Sequence, residues 1–198
     1  MAKKLHYFHL NGLAEAIRYI LHYGGHDFED IRYEDSKWPK DTLPYGQLPF
    51  YEEADKTLNQ SIAIARYVAS QSGLLPSDPW QQALLDAAVL SIYDFWVKNM
   101  YYDEKDPAKK AALKKRALEE YVPYYLSRFE KELKKNNGYF SGKLTWADFF
   151  LVGITESVNL FYDDNIEKNY PTVGALVETI QNLPRVKEYI AIREPYTV

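Results

Sequence analysis

The chain contains no cysteine, which removes disulfide frameworks, thiolate metal sites and any nucleophilic or redox thiol of the protein's own. Chemistry at sulfur would need sulfur that arrives with a ligand. An excess of positive charge is also missing, because 24 Lys and Arg stand against 28 Asp and Glu for a formal net charge of -4. Nucleic acid is therefore not an expected partner, since binding to a phosphate backbone draws on clustered cations. No stretch reaches the roughly 18 apolar residues of a membrane span. The opening MAKKLHYFHLNG lacks the apolar core and small-residue cleavage site of a secretory leader. The expected location is the cytosol, with no membrane partner, and there the Asn59-Gln60-Ser61 sequon would never meet glycosylation machinery.

What is present is close to the composition of ordinary globular domains: 198 residues, 46% hydrophobic and 26% charged, enough for a normal core without covalent staples. The residues up to Ser72 switch hydrophobic period repeatedly, whereas the rest carries helix-like patterns only. Leu5–Phe8 reads as a strand closed by Asn11-Gly12. Ala14–Tyr23 reads as a helix with Ile17, Ile20 and Leu21 on one face, ended by Gly24-Gly25. Phe28–Tyr33 resumes as a strand. Ser36–Gly46, with Pro39, Pro44 and Gly46, sustains neither period and is expected to be a long functional loop. Leu48–Glu52 and Thr57–Asn59 complete the strands, with Pro49, which lacks a ladder N–H, at the start or edge of its strand. Ser61, a good N-cap residue, opens a second helix that runs to Ser72. After the Gly/Pro run GLLPSDP, the segments Trp80–Met100, Pro107–Asn136, Trp146–Tyr162, Val173–Asn182 and Arg185–Ile190 read as helices. The expected organisation is an α/β domain at 1–74, a linker at 75–80 and an all-α helical-bundle domain at 81–198.

The order strand, helix, strand, loop, two strands and helix is that of a thioredoxin-like domain, and Leu48-Pro49 stands where that fold keeps a cis-proline. A cis bond there turns the N–H and C=O of the preceding residue outward, so that a bound peptide can pair with them as an added strand. Such domains normally work on sulfur, yet CxxC is absent. Four segments, KLHYFHLNGLAEAIRY, WPKDTLPYGQLPF, LNQSIAIARY and GKLTWADF, follow one another as they do in a known family. The chain resembles the cytosolic glutathione S-transferases along its whole length. Within them it resembles the sigma class, which also holds haematopoietic prostaglandin D synthases and lens S-crystallins.

The resemblance implies that Tyr7 is the catalytic residue, its hydroxyl donating a hydrogen bond to glutathione sulfur and favouring the thiolate. A thiol titrates near about 8.5, and lowering it by about two units takes about 2.7 kcal/mol, within reach of a charge-assisted hydrogen bond and local dipoles. Leu13 stands where some sigma relatives carry arginine, so activation is expected to lean on Tyr7 with no cation nearby. Trp38 and Lys40 are the implied holders of the glycyl carboxylate, Gln47 a further polar contact, and Leu48, beside Pro49, the backbone partner of the cysteinyl residue. Gln60 and Ser61 would receive the γ-glutamyl carboxylate at a helix N-terminus, where unpaired N–H groups and the helix dipole favour an anion. Asp94 is implied to reach across a homodimer to the partner's γ-glutamyl amine. Phe8, Leu13, Trp96, Met100, Phe150 and Ile154 fall where the family lines its hydrophobic substrate pocket. Some relatives bind Mg2+ or Ca2+ through carboxylates on the Asp94 helix; Leu90 and Tyr93 stand there instead, and no metal is expected.

The remaining features have plainer readings. His6, His9, His22 and His26 gather in sequence, but Gly24-Gly25 breaks the helical spacing of the last pair, and ordinary surface or core histidines are expected. Thr145-Trp146-Ala147-Asp148 is a capping box in which Asp replaces Glu or Gln, flanked by Leu144 and Phe149 as a hydrophobic staple. The basic run Ala108–Arg116 reads as a solvated face. The expected function is conjugation of glutathione to hydrophobic electrophiles. Two alternatives stay open: a glutathione-dependent prostaglandin D isomerase or peroxidase, and a crystallin-like structural or carrier protein with little turnover.

Overall fold

The computed structural model describes residues 3–34, 37–101 and 104–196. Strand β1, Lys3–Phe8, leads through a 3-10 turn at Gly12–Ala14 into helix α1, Glu15–Tyr23. Strand β2, Phe28–Tyr33, returns parallel to β1, while β3, Phe50–Glu53, runs antiparallel to β1 and pairs with the antiparallel β4, Lys56–Asn59. The sheet order is β2-β1-β3-β4, and helix α2, Ser61–Gln71, closes the unit. Leu5 and Tyr51 of the central strands are buried together with Ile17 and Ile20 of α1 and Ile64 and Val68 of α2. Period-2 and period-3.6 apolar faces thus meet in one layer of core. The expected loop contains a 3-10 turn at Lys40–Thr42, and Ser36, its expected first residue, lies outside the described residues. β3 starts at Phe50 rather than Leu48, because Pro49 has no N–H to give to the ladder.

The rest of the chain is helical. Helix α3, Pro79–Lys98, is opened by the Asp78 carboxylate, which accepts the Gln81 N–H at 2.9 Å, with Pro79 at the first position. Asp106 opens α4, Pro107–Arg116, in the same way. The single helix expected over Pro107–Asn136 is interrupted: α4 gives way to a wider π-type turn at Ala117–Tyr121, and α5 runs from Val122 to Lys135. Pro123 is the reason, since it has no N–H and its ring crowds the carbonyl one turn back, and a wider turn accommodates both. Helix α6, Trp146–Tyr162, carries the expected capping box, followed by α7, Pro171–Gln181, and α8, Pro184–Ile192.

Helix α6 is the hub that joins the helical layer to the sheet layer, packing on α1, α2, α3 and α7. The crossing with α1 is close: a Cβ at Gly153 would sit 2.7 Å from the backbone nitrogen of Ala16. Beyond α8 the chain folds back onto α1, where Arg193 pairs with both Glu15 and Glu156, and the Tyr196 hydroxyl donates to Glu15 at 2.7 Å. Among the described residues no helix is long and apolar enough to cross a membrane.

Candidate active site

Tyr7 lies at the end of β1 with its hydroxyl facing the turn that follows. The Leu13 N–H donates to that oxygen at 3.1 Å. Such a bond fixes the ring and polarises the phenol O–H, strengthening it as a donor. Gly12, at φ +44°, makes the approach possible, because a Cβ there would stand 2.6 Å from the Tyr7 oxygen. The turn is pinned on two sides. The Gly12 N–H donates to the buried Asn11 side chain at 2.7 Å, and the Ser157 hydroxyl of α6 faces the Gly12 carbonyl at 3.4 Å.

A cleft of about 240 Å³ opens beside this turn, and its lining brings Phe8 and Leu13 together with Trp38, Gln47, Leu48, Pro49, Gln60 and Ser61. Segments far apart in sequence therefore meet in one place. Phe8 and Trp38 touch edge to face, with ring centroids 5.8 Å apart at 87°. The Leu48–Pro49 bond is cis, as its position before β3 predicts. At the far end, Gln60 takes φ +74° and its side-chain N–H donates to the side-chain Oε1 of Gln47 at 3.2 Å.

The residue opening α2 needs a correction. Ser61 is the first helical residue and Gln60 occupies the N-cap position without a side-chain bond to the helix. Gln60 and Ser61 both line the cleft, so an α2 N-terminus without a side-chain cap adjoins it, an arrangement suited to a carboxylate.

Other expected residues are placed differently. Lys40 is exposed on its 3-10 turn, its aliphatic stem beside Gly46, and is not among the residues lining the cleft. Trp96, Phe150 and Ile154 are buried in the core, with Trp96 against Phe161 and Phe150 against Trp146, so they do not form the wall of an open pocket. Met100, just past α3, is partly exposed. Asp94 points away from the cleft of its own chain, into a groove of about 700 Å³ between α3 and α5. Its neighbour Tyr93 faces the cleft instead, a lining residue that sequence reasoning treated only as a lost metal position.

The expectation of no cation near Tyr7 is also corrected. Arg18 is fully buried on α1, and its guanidinium carbon is 5.9 Å from the centroid of the Tyr7 ring. The signal for it in sequence was a cation set among Ile17, Tyr19 and Ile20 on an apolar face. The histidines bond elsewhere, His6 with Tyr33 and His26 with Lys3 and Ser72. Among the described residues no group of three or more His, Cys, Asp or Glu is arranged to hold a metal ion.

A mixed sheet of order β2-β1-β3-β4 that carries α1 and α2, joined to a helical layer through α6, defines a thioredoxin-like domain paired with an all-helical one. The chain belongs to the glutathione S-transferase family: the model of the glutathione S-transferase N-terminal domain matches residues 3–70, and that of the C-terminal domain matches residues 93–193. It is 35% identical to a glutathione S-transferase of Anopheles gambiae, over 96% of both chains. To the hematopoietic prostaglandin D synthase of Gallus gallus it is 34% identical, again over 96% of both. Among solved structures it superposes on the prostaglandin synthase D of Nilaparvata lugens with a TM-score of 0.92 at 37% identity, covering 98% of this chain and 100% of that one. The family uses glutathione as co-substrate.

Proposed function

We propose that the chain is a sigma-like, cytosolic glutathione transferase that conjugates glutathione to hydrophobic electrophiles. The observation that carries this reading is the convergence, on one cleft, of Phe8 and Leu13, which flank the buried Tyr7, of Leu48 and of the uncapped N-terminus of α2. When bound, glutathione supplies the thiol nucleophile. Ser61 and the first-turn N–H groups of α2 would take the γ-glutamyl carboxylate with Gln60, and Leu48 would pair with the backbone of the central residue. Trp38 and Gln47 would hold the glycyl end. Lys40, on its exposed turn, can swing toward the same carboxylate. Tyr7 would donate its O–H to the sulfur and so favour the ionised form, with no separate base required. Phe8, Leu13, Tyr93 and Met100 would border the electrophile.

The reading extends to a homodimer divided at 1–74, 75–80 and 81–198. The α3–α5 groove is bordered by exposed Leu84 and Tyr124, with Trp80 72% exposed at the head of α3, an apolar surface that a second copy would cover. Asp94 within it would reach the partner's γ-glutamyl amine. Sedimentation of the purified chain checks this, a monomer at micromolar concentration being the result against it.

The deciding experiment is a pH titration of the thiolate absorbance of bound glutathione, with and without Tyr7→Phe, beside a conjugation assay on an aromatic halide. A bound thiol that titrates like free glutathione would leave the carrier reading in place of the enzyme. The likeness to prostaglandin D synthases favours one second reading, isomerisation of prostaglandin H2 to D2 on the same cleft. Product analysis on that endoperoxide separates the two.

A further inference from the structure

Arg18 is an unusual side chain to find at zero exposure. Its Nε donates to Asp30 at 2.9 Å, and its Nη1 donates to the Leu10 carbonyl and to Glu15, each at 2.9 Å. These bonds hold the guanidinium between two phenol rings, 5.9 Å from the Tyr7 centroid and 5.8 Å from that of Tyr196. Its remaining nitrogen, Nη2, is buried with no hydrogen-bond partner among the described residues. An unsatisfied buried donor is costly, and a side chain needed only to fill space would not carry one.

We propose that Arg18 is a positioning residue for the reaction, its buried guanidinium against the Tyr7 ring setting how strongly the Tyr7 hydroxyl donates to the glutathione sulfur. The inference rests on the reading of Tyr7 as the donor that faces the thiol. A cation over the face of a phenol draws electron density from the ring and its oxygen, which strengthens the O–H as a donor. In a low-dielectric interior that influence is screened far less than in water. The charge is always present: burial disfavours it, but Glu15, Tyr196 and Asp30 more than offset that and hold Arg18 protonated at every working pH.

The groups that face Arg18 fix the sign of each test. Glu15 and His22 come from α1, Asp30 and Arg32 from β2, Tyr189 from α8 and Tyr196 from the tail, where Arg193 pairs with Glu15. Glu15 is the fully buried counter-charge. Removing Arg18 should weaken the donor, whereas removing the charge of Glu15 should strengthen it. A residue that merely clamps α1 to β2 would lower stability in both cases without moving the titration of a bound thiol.

The experiment titrates the thiolate absorbance of glutathione at saturation in the full-length protein and in Tyr7→Phe, Arg18→Met, Arg18→Lys and Glu15→Gln. The expected result is a rise in midpoint of about half a pH unit for Arg18→Met, equal to about threefold less thiolate on the acid side. Arg18→Lys should recover most of it, and Glu15→Gln should lower the midpoint. If Tyr7→Phe leaves the midpoint where it is, the reading of Tyr7 fails and takes this inference with it. If Tyr7→Phe moves the midpoint but Arg18→Met and Glu15→Gln leave it unchanged or move it the same way, Arg18 is a structural clamp and only this inference is overturned. Where Arg18→Met gives no folded protein, the sign of the Glu15→Gln shift decides: a fall supports the proposal, and a rise or no change rejects it.

Discussion

Tyr7 is positioned by a residue whose contribution is the lack of a side chain. At Gly12 an added methyl would collide with the phenol oxygen at 2.6 Å, in a backbone region that residues with a Cβ rarely adopt. Gly12→Ala should therefore displace the hydroxyl and lower kcat for conjugation by on the order of tenfold to a hundredfold. Glutathione affinity should change little, because the residues proposed to hold its carboxylates lie elsewhere in the cleft; steady-state kinetics with binding calorimetry checks the split. What the sequence offers at this scale comes through the resemblance that its short motifs carry, and the segments around Tyr7, Leu48-Pro49 and Gln60-Ser61 meet at one cleft. Arg18 shows in the sequence only as a cation on an apolar face; its surroundings are not legible there, because its partners Asp30 and Tyr196 come from distant segments.

Elements were read well wherever a stop or start signal is local. α6 begins and ends where its capping box and apolar period require, and β2 matches its expected bounds. Misplacement came from faces rather than ends. A helix such as α6 is apolar nearly all round, and periodicity cannot say which side looks at a cleft and which at α1, so Phe150 and Ile154 were assigned to a pocket that they do not line. The cap of α6 carries a pH prediction. The Asp148 carboxylate accepts N–H bonds from Phe140 at 2.9 Å and Thr145 at 2.6 Å, yet burial outweighs these and pushes its pKa up to about 6 from an ordinary 3.8. A pKa raised by folding means that the associated stability is fully present below 3.8 and is lost as pH rises through about 6. The loss is at most roughly 3 kcal/mol. Urea unfolding of the natural chain and Asp148→Asn across that window should show their difference narrowing as pH rises. A difference that widens would refute the assignment.

The whole molecule depends on the α1–α6 crossing, where one helix backbone rests against the other. Gly153→Ala would force a methyl to within 2.7 Å of the Ala16 nitrogen, a backbone atom that cannot rotate away. The layers must part, with an expected cost of about 1 to 3 kcal/mol. It should appear as a lower urea midpoint with the slope unchanged, and with activity reduced as well, since α6 packs on the Gly12–Ala14 turn beside Tyr7. The division into sheet and helical layers was visible in the sequence as a change of period. Their mode of joining was not, because a glycine inside a helix does not announce what it lies against.

Helix α4 stands at the opposite extreme, with no buried residue between Pro107 and Arg116. Apart from Lys114, which donates to the Tyr162 carbonyl at 2.7 Å, its side chains are exposed to solvent. In a chain without cysteine, a thiol introduced at exposed Ala112 would be unique, so a single dye could be attached there without disturbing the core. The molecule thus offers its own reporter position for testing whether two copies associate in solution.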